Sequence, residues 1–223
     1  YDYSGNEVYN AKYIMADMNI GSKLNLITGL RFEKNETTYR SFKGMQNTLP
    51  HYNAAGSDSI SIHTRNNSYS LPSLFLKYEP SDWLILRYAS TNTLTRPDYA
   101  DIIPLYNYLG SSGGVLYRNR FLEPGVSKNQ DYVVAFNNKK LGLLSLSYFT
   151  KNIDGMIYSS GRRYIVEGTA NSLYGLPHYT DKKFITDYKL NNPYAVKLEG
   201  FEIDYQTRFW YLPGMLSGLV FNT

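Results

Sequence analysis

Residues 83–104 read WLILRYASTNTLTRPDYADIIP, and the fold turns on how they are read. Leu84, Leu86 and Tyr88 alternate with Ile85, Arg87, Ala89, Thr91, Thr93 and Thr95. Side chains on a strand point to opposite faces in turn, so one face here is apolar and the other mostly small, polar or charged. Arg96-Pro97 ends the pattern, because proline has no N–H to give to a ladder. A long polar, tyrosine-rich stretch follows. The motif is a strand that opens into a large loop. Its apolar face meets either a protein core or lipid.

The rest of the chain repeats this unit. Seven further strands are predicted: about 7–19, 24–40, 66–79, 128–137, 143–158 and 196–211, and one beginning at Gly218. In the second, Leu24, Leu26, Leu30 and Phe32 face away from Asn25, Gly29, Arg31, Glu33 and Asn35. In the seventh strand of the chain, Phe201, Ile203, Tyr205, Phe209 and Tyr211 oppose Glu202, Asp204, Gln206 and Arg208. The first is less regular. Tyr9, Ala11, Tyr13 and Met15 share a face, which leaves Val8, Ile14 and Met18 on the polar side with Asn10 and Lys12.

Two regularities decide between core and lipid. Connections alternate between a few residues and stretches of about 41–65, 96–127 and 159–195. A compact domain seldom holds one structureless loop above about 15 residues, and this chain would have three. The strands mostly reach the roughly 9–11 residues needed to cross a bilayer, against about 5–6 in an ordinary sheet. Both features match an antiparallel transmembrane β-barrel, with short turns on the periplasmic side and long loops outside. Arg31, Arg87, Glu202, Asp204 and Arg208 then face the lumen, where water solvates them. A soluble sandwich or propeller is the alternative that the pattern leaves open.

Composition narrows the function. Charged residues are 19% and aromatics 16%, with 23 tyrosines. Tyrosine suits membrane interfaces and sugar- or peptide-binding surfaces, and also favours strands. The net charge of +4 is scattered, without the basic stripe that nucleic-acid binding needs. Cysteine is absent, which excludes disulfides and thiolate chemistry. No apolar run is long enough for a transmembrane helix, a test to which barrel strands are invisible. The first residues show neither an initiator methionine nor a signal peptide, so a processed chain or a piece of a longer one is expected.

Three stretches resemble the TonB-dependent receptors of bacterial outer membranes. LRYASTNTLTRPDYADIIP (86–104) is similar to that family's strand ending in Arg-Pro. FLEPGVSKNQDYVVAF (121–136) with LGLLSLSYFTKNIDGMIY (141–158) resembles a descending and ascending strand pair, although Glu123-Pro124-Gly125 departs from the family's usual Pro-Glu. GFEIDYQTRFWYLPGMLSGLVFNT (200–223) resembles a late barrel hairpin. The long loops look most like receptors of the Bacteroidetes. The resemblance implies that residues 1–223 are one partial barrel domain, an internal segment of about eight strands out of about 22. The N-terminal plug and TonB-box peptide would lie elsewhere, and the segment is not expected to fold alone. It further implies active import of a glycan, a peptide, a siderophore or haem, with outer-membrane lipid, the TonB complex and a surface lipoprotein lid as partners.

Candidate sites follow from these readings. Arg96 stands at the lumen rim, to shape the loop, contact cargo or pair with a nearby carboxylate. Tyr106, Tyr108, Tyr117, Tyr164, Tyr174 and Tyr179 are the loop aromatics best suited to stack on cargo. His51, His63 and His178 lack ligand spacing and are expected to be solvated, so neither a metal nor a cofactor is assigned. Glu202 and Asp204 are read as lumen charges, and no enzyme activity is expected. Two rivals remain: a β-rich binding or adhesion module that transports nothing, and a glycan hydrolase using Glu202 or Asp204.

Overall fold

The alternating leucines of the opening motif form the fourth strand of a long sheet. The computed structural model describes residues 3–46, 60–103, 106–109, 114–138, 141–161, 163–165, 184–186 and 189–223. Four long strands come first: β1 (Tyr3–Ile20), β2 (Leu24–Gln46), β3 (Ile60–Ser81) and β4 (Leu84–Thr95). One helical turn, α1 (Tyr99–Ile102), and two short strands, β5 (Tyr106–Leu109) and β6 (Gly114–Tyr117), follow. Then come β7 (Gly125–Asn138), β8 (Gly142–Asp154), β9 (Ile157–Ser159), β10 (Arg163–Ile165), β11 (Phe184–Thr186) and β12 (Lys189–Asn191). β13 (Val196–Arg208), a 3-10 turn (Gly214–Gly218) and β14 (Val220–Asn222) complete the chain.

The wall runs β1-β2-β3-β4-β7-β8-β13-β14, each strand antiparallel to the next. It is the expected antiparallel barrel sheet, here an open arc. Among the described residues, the outer edges of β1 and β14 have no strand beside them. No helix among these residues is long and apolar enough to cross a membrane. Short turns lie at one end of the wall. At the β7–β8 turn, Gly142 has φ +92°, and a Cβ there would meet the Gln206 carbonyl oxygen at 2.1 Å, so only glycine fits.

Register converts the alternation into two faces. Tyr78, Leu86, Val134, Leu146 and Ile203 lie in one row on the outer face. The row above carries aromatics: Tyr88, Tyr132, Tyr148 and Phe201 follow one another with ring centroids 5.0, 6.1 and 4.8 Å apart. Such a ladder marks the upper limit of the apolar band on these four strands. On the inner face, Lys77, Arg87, Val133, Ser147 and Glu202 form a row, and Arg31, Asp204 and Arg208 share that face.

Several expectations need correction. In β1, Ile14, Met18 and Ile20 pair with Leu30, Leu26 and Leu24, so they belong to the apolar outer face, and Tyr9, Tyr13 and Met15 face inward with Asn35, Arg31 and Gly29. The reading failed because Lys12 is level with Phe32, at the upper edge of the apolar band, and Asn10 with Lys34 above it, where outward polar groups reach water. β2 and β3 run further than predicted, pairing out to Phe42 and Ile60. β8 stops at Asp154, where Gly155 takes φ +66°, and β13 stops at Arg208, before the turn. The long connections are not structureless: α1, β5, β6 and β9 to β12 lie within them. β5 pairs parallel to β2 at Lys43–Gln46, taking over its edge just past the start of β1, which pairs Tyr3 with Ser41.

Candidate functional site

The chain that leaves β4 bends back over the inner face of β1–β3, and this strap builds the site. Arg96 forms an ion pair with Glu33 of β2, which also holds Arg31 at 2.6 Å. The Arg96 guanidinium lies over the Tyr9 ring, 5.5 Å from its centroid. Three residues on, the Tyr99 hydroxyl donates to the Glu7 carboxylate at 2.5 Å, and Asn35 donates to the other oxygen at 2.6 Å. Tyr99 also meets Tyr39 edge to face at 6.3 Å. The bond to Glu7, with some burial, pushes the Tyr99 phenol up to about 12.

Proline sets this geometry. Pro97 breaks the ladder after Arg96, and the extended Asp98 turns the chain into α1. Beneath the strap, Tyr39, Ile102 and Leu122 make a small buried cluster, with Ile157 against it. Beside it is a cavity of about 60 Å³ bordered by Glu7, Glu33, Tyr39, Arg65, Arg96 and Tyr99. Arg65 is buried and pairs with Glu123 at 3.4 Å. At the rim, buried Asp101 lies 2.7 Å from Lys189 and 3.7 Å from Arg118. The bond to Asp101 raises the Lys189 ammonium above its usual range.

Asn191 ties the second and third long connections together. Its side-chain nitrogen donates to the Glu123 and Gly155 carbonyls, both at 2.8 Å, and its oxygen accepts from the Glu123 N–H at 2.8 Å. Asn119 donates to the Lys189 carbonyl at 3.0 Å. The mouth of the wall is thus a braced rim with a polar, tyrosine-lined inner surface. It suits reversible holding of a solute.

The candidates from sequence fall out as follows. Arg96 is paired to a carboxylate at the rim. Arg31 joins the same network through Glu33, whereas Arg87, Glu202, Asp204 and Arg208 lie further along the inner face, away from it. Tyr106 and Tyr117 are register partners in the β5–β6 hairpin, with Tyr108 two positions along. Tyr164 is in β10, paired with Ile185. Tyr174 and Tyr179, like His51 and His178, lie outside the described residues. His63 is half-buried against the Phe121 ring at 5.4 Å rather than free in solvent. Among the described residues, no three His, Asp or Glu side chains come together to hold a metal. Sequence reasoning missed Glu7, Arg65, Tyr99, Asp101 and Lys189. The available signal was Tyr99 three residues after Arg96, but their carboxylate partners lie 92 and 63 positions away along the chain.

A wall that is apolar outside, polar inside, short-turned at one end and braced at the other defines a membrane-spanning β-barrel. The family model for the TonB dependent receptor-like beta-barrel matches residues 1–223, and the chain belongs to that family of outer-membrane proteins. Among curated proteins no sequence match is found. Among solved structures, the chain is similar to the Serratia marcescens hemophore receptor HasR, seen as a double mutant with its hemophore HasA and heme. That likeness has 17% identity and a TM-score of 0.63, over 91% of this chain and 32% of HasR. A mutant of the Pseudomonas aeruginosa ferric enterobactin receptor PfeA gives 15% and 0.51, over 93% and 34%. The Acinetobacter baumannii siderophore receptor PirA gives 15% and 0.50, over 92% and 35%. At these identities the likeness concerns the fold. The chain spans about a third of the length of these solved relatives.

Proposed function

We propose that residues 1–223 form part of the barrel of an outer-membrane importer driven through TonB, with the plug carried elsewhere in the full protein. The observation that carries this reading is the braced inner rim, where Arg96, Tyr9, Tyr39 and Tyr99 meet at the mouth of a polar-lined wall. Cargo enters from the long-loop side and is held by aromatic and charged groups of the rim and of the β5–β6 hairpin. The cargo classes are a glycan, a peptide, a siderophore or haem. The names of the similar structures favour testing haem and ferric siderophores first. TonB acts through the plug, and a surface lipoprotein lid is a further partner. Glu202 and Asp204 serve as wall charges, and no reaction is assigned to the chain.

The test uses the full-length receptor in its own outer membrane. Cells lacking it should lose uptake of one cargo class. The purified receptor should bind that cargo, and Arg96→Ala should weaken binding by several-fold while the barrel still folds. Normal uptake of all four classes by the deletion strain, together with no binding by the receptor, would sink the importer reading.

A further inference from the structure

The apolar band does not follow a single hydrogen-bonded row around the wall. On β2 the outward apolar positions extend up to Phe32 and stop at Lys34. On β4 they stop at Tyr88, with Ser90 beyond. Register places Tyr88 level with Leu76 and Leu26, three outward positions below Phe32. The limit then holds at Tyr132, Tyr148 and Phe201, followed by Gln130, Thr150 and Glu199. The drop is taken up between β2 and β4, and over the whole wall it has the size that strand tilt gives. Strands about 4.8 Å apart and tilted by about 40° move the membrane boundary roughly 4 Å per strand, a little over one residue. The five steps from β2 to β13 amount to about six residues, or about three outward positions.

The lower boundary must slide equally. On β2 it lies at Leu24, which is level with Ile203 of β13 through Tyr78, Leu86, Val134 and Leu146. Three outward positions past Ile203 is Phe209. The lower edge of the bilayer therefore meets the chain where β13 ends and the turn to β14 starts.

That turn differs from the others at its end of the wall. They carry Lys23, Asp82 and Lys139-Lys140, whereas residues 209–223 contain no charged side chain. Trp210, Tyr211, Met215 and Leu216 are 50%, 58%, 96% and 50% exposed. The turn is ordered: Leu212 N–H donates to the Phe209 carbonyl, and Leu219 N–H to that of Leu216. Tyr211 packs edge to face with both Phe209 and Trp210. Phe221 is opposite Thr207 on the outer face, 6.1 Å from Tyr205, so the turn continues the lipid-facing band. In water, this would be an apolar patch without a partner. Tryptophan and tyrosine beside apolar side chains are the chemistry of the headgroup boundary.

From this geometry we infer that the Phe209–Leu219 turn is an interfacial anchor, seated in the phospholipid headgroup–acyl boundary on the short-turn side. The test uses the full-length receptor in phosphatidylcholine vesicles, with any cysteines elsewhere replaced by serine. Nitroxide labels are placed by Met215→Cys, Leu216→Cys, Leu146→Cys on the band and Ser22→Cys at a polar turn. Collisions with oxygen, which concentrates in lipid, are compared with collisions with a water-soluble nickel chelate. The oxygen-to-nickel ratio at positions 215 and 216 should approach that at 146 and exceed that at 22 several-fold. A ratio equal to that at Ser22 overturns the proposal by placing the turn in water. Shielding from both probes overturns it by placing another part of the receptor over the turn. Met215 is almost wholly exposed, so its replacement leaves the fold undisturbed.

Discussion

Leu122 has no exposed surface although it belongs to a long connection, because the strap closes over it together with Tyr39 and Ile102. Leu122→Ala should cost about 2–5 kcal/mol of local stability, the usual range for emptying a buried leucine site. Amide exchange at Glu123, whose N–H is bonded to Asn191, should accelerate accordingly; unchanged exchange would mean that the cluster does not hold the strap. Tyr99 supplies a second test. A phenol whose pKa is raised in the folded strap stabilises it fully below its ordinary value of 10.0, and the contribution is lost as pH rises through about 12. The tyrosinate absorbance of the parent minus that of Tyr99→Phe should titrate with a midpoint of about 12. A midpoint at the ordinary value would show that Glu7 does not hold the hydroxyl. At this scale the sequence was half legible. Arg96 stood out through the proline after it, but its distant carboxylate partner is a product of register, which no local pattern carries.

Strands were more legible than residues. Leu146 and Ser147 are adjacent in β8 and lie on opposite faces, beside Val134 and Val133 of β7. Leu146→Arg should destabilise the folded barrel by about 1–3 kcal/mol, between the interfacial and midplane costs, and Ser147→Arg by little, since only the first puts a cation into lipid. Urea titration of the full receptor in lipid vesicles measures both, and equal losses would contradict the assignment of faces. Where apolar residues were unambiguous, as in β2 and β13, the sequence placed both faces correctly. In β1 tyrosine misled, because its apolar ring and polar tip suit either face. At the band's upper edge and just above it, Lys12 and Asn10 are outward and wet. Alternation reports burial only along the part of a strand that the membrane covers.

At the scale of the molecule, the wall ends in two unpaired edges and an uncovered apolar band. Open edges are not tolerated in a membrane, which supports the proposal that strands elsewhere in the full protein close this arc. The receptor isolated from its native membrane fraction should have a mass several times 25.6 kDa, with peptides mapping beyond residues 1–223. A membrane protein of 25.6 kDa would contradict the partial-barrel reading. Strand order was readable because short turns force neighbours together. The small elements of the long connections were not, since three or four residues carry too little periodicity.

The unequal lengths of the strands have a mechanical consequence. β2 has 23 residues and β3 has 22, while β8 and β13 have 13 each. At about 3.3 Å per residue the longer pair extends roughly 30 Å further along the strand, or about 24 Å higher at a tilt of about 40°. Among the described residues, the top of the wall is stepped rather than level. A sideways push on that tall ribbon would act with a long lever arm on its foot. Near that foot Glu33 of β2 holds Arg96 and Glu7 of β1 holds Tyr99, so the strap is fastened where such a lever would act.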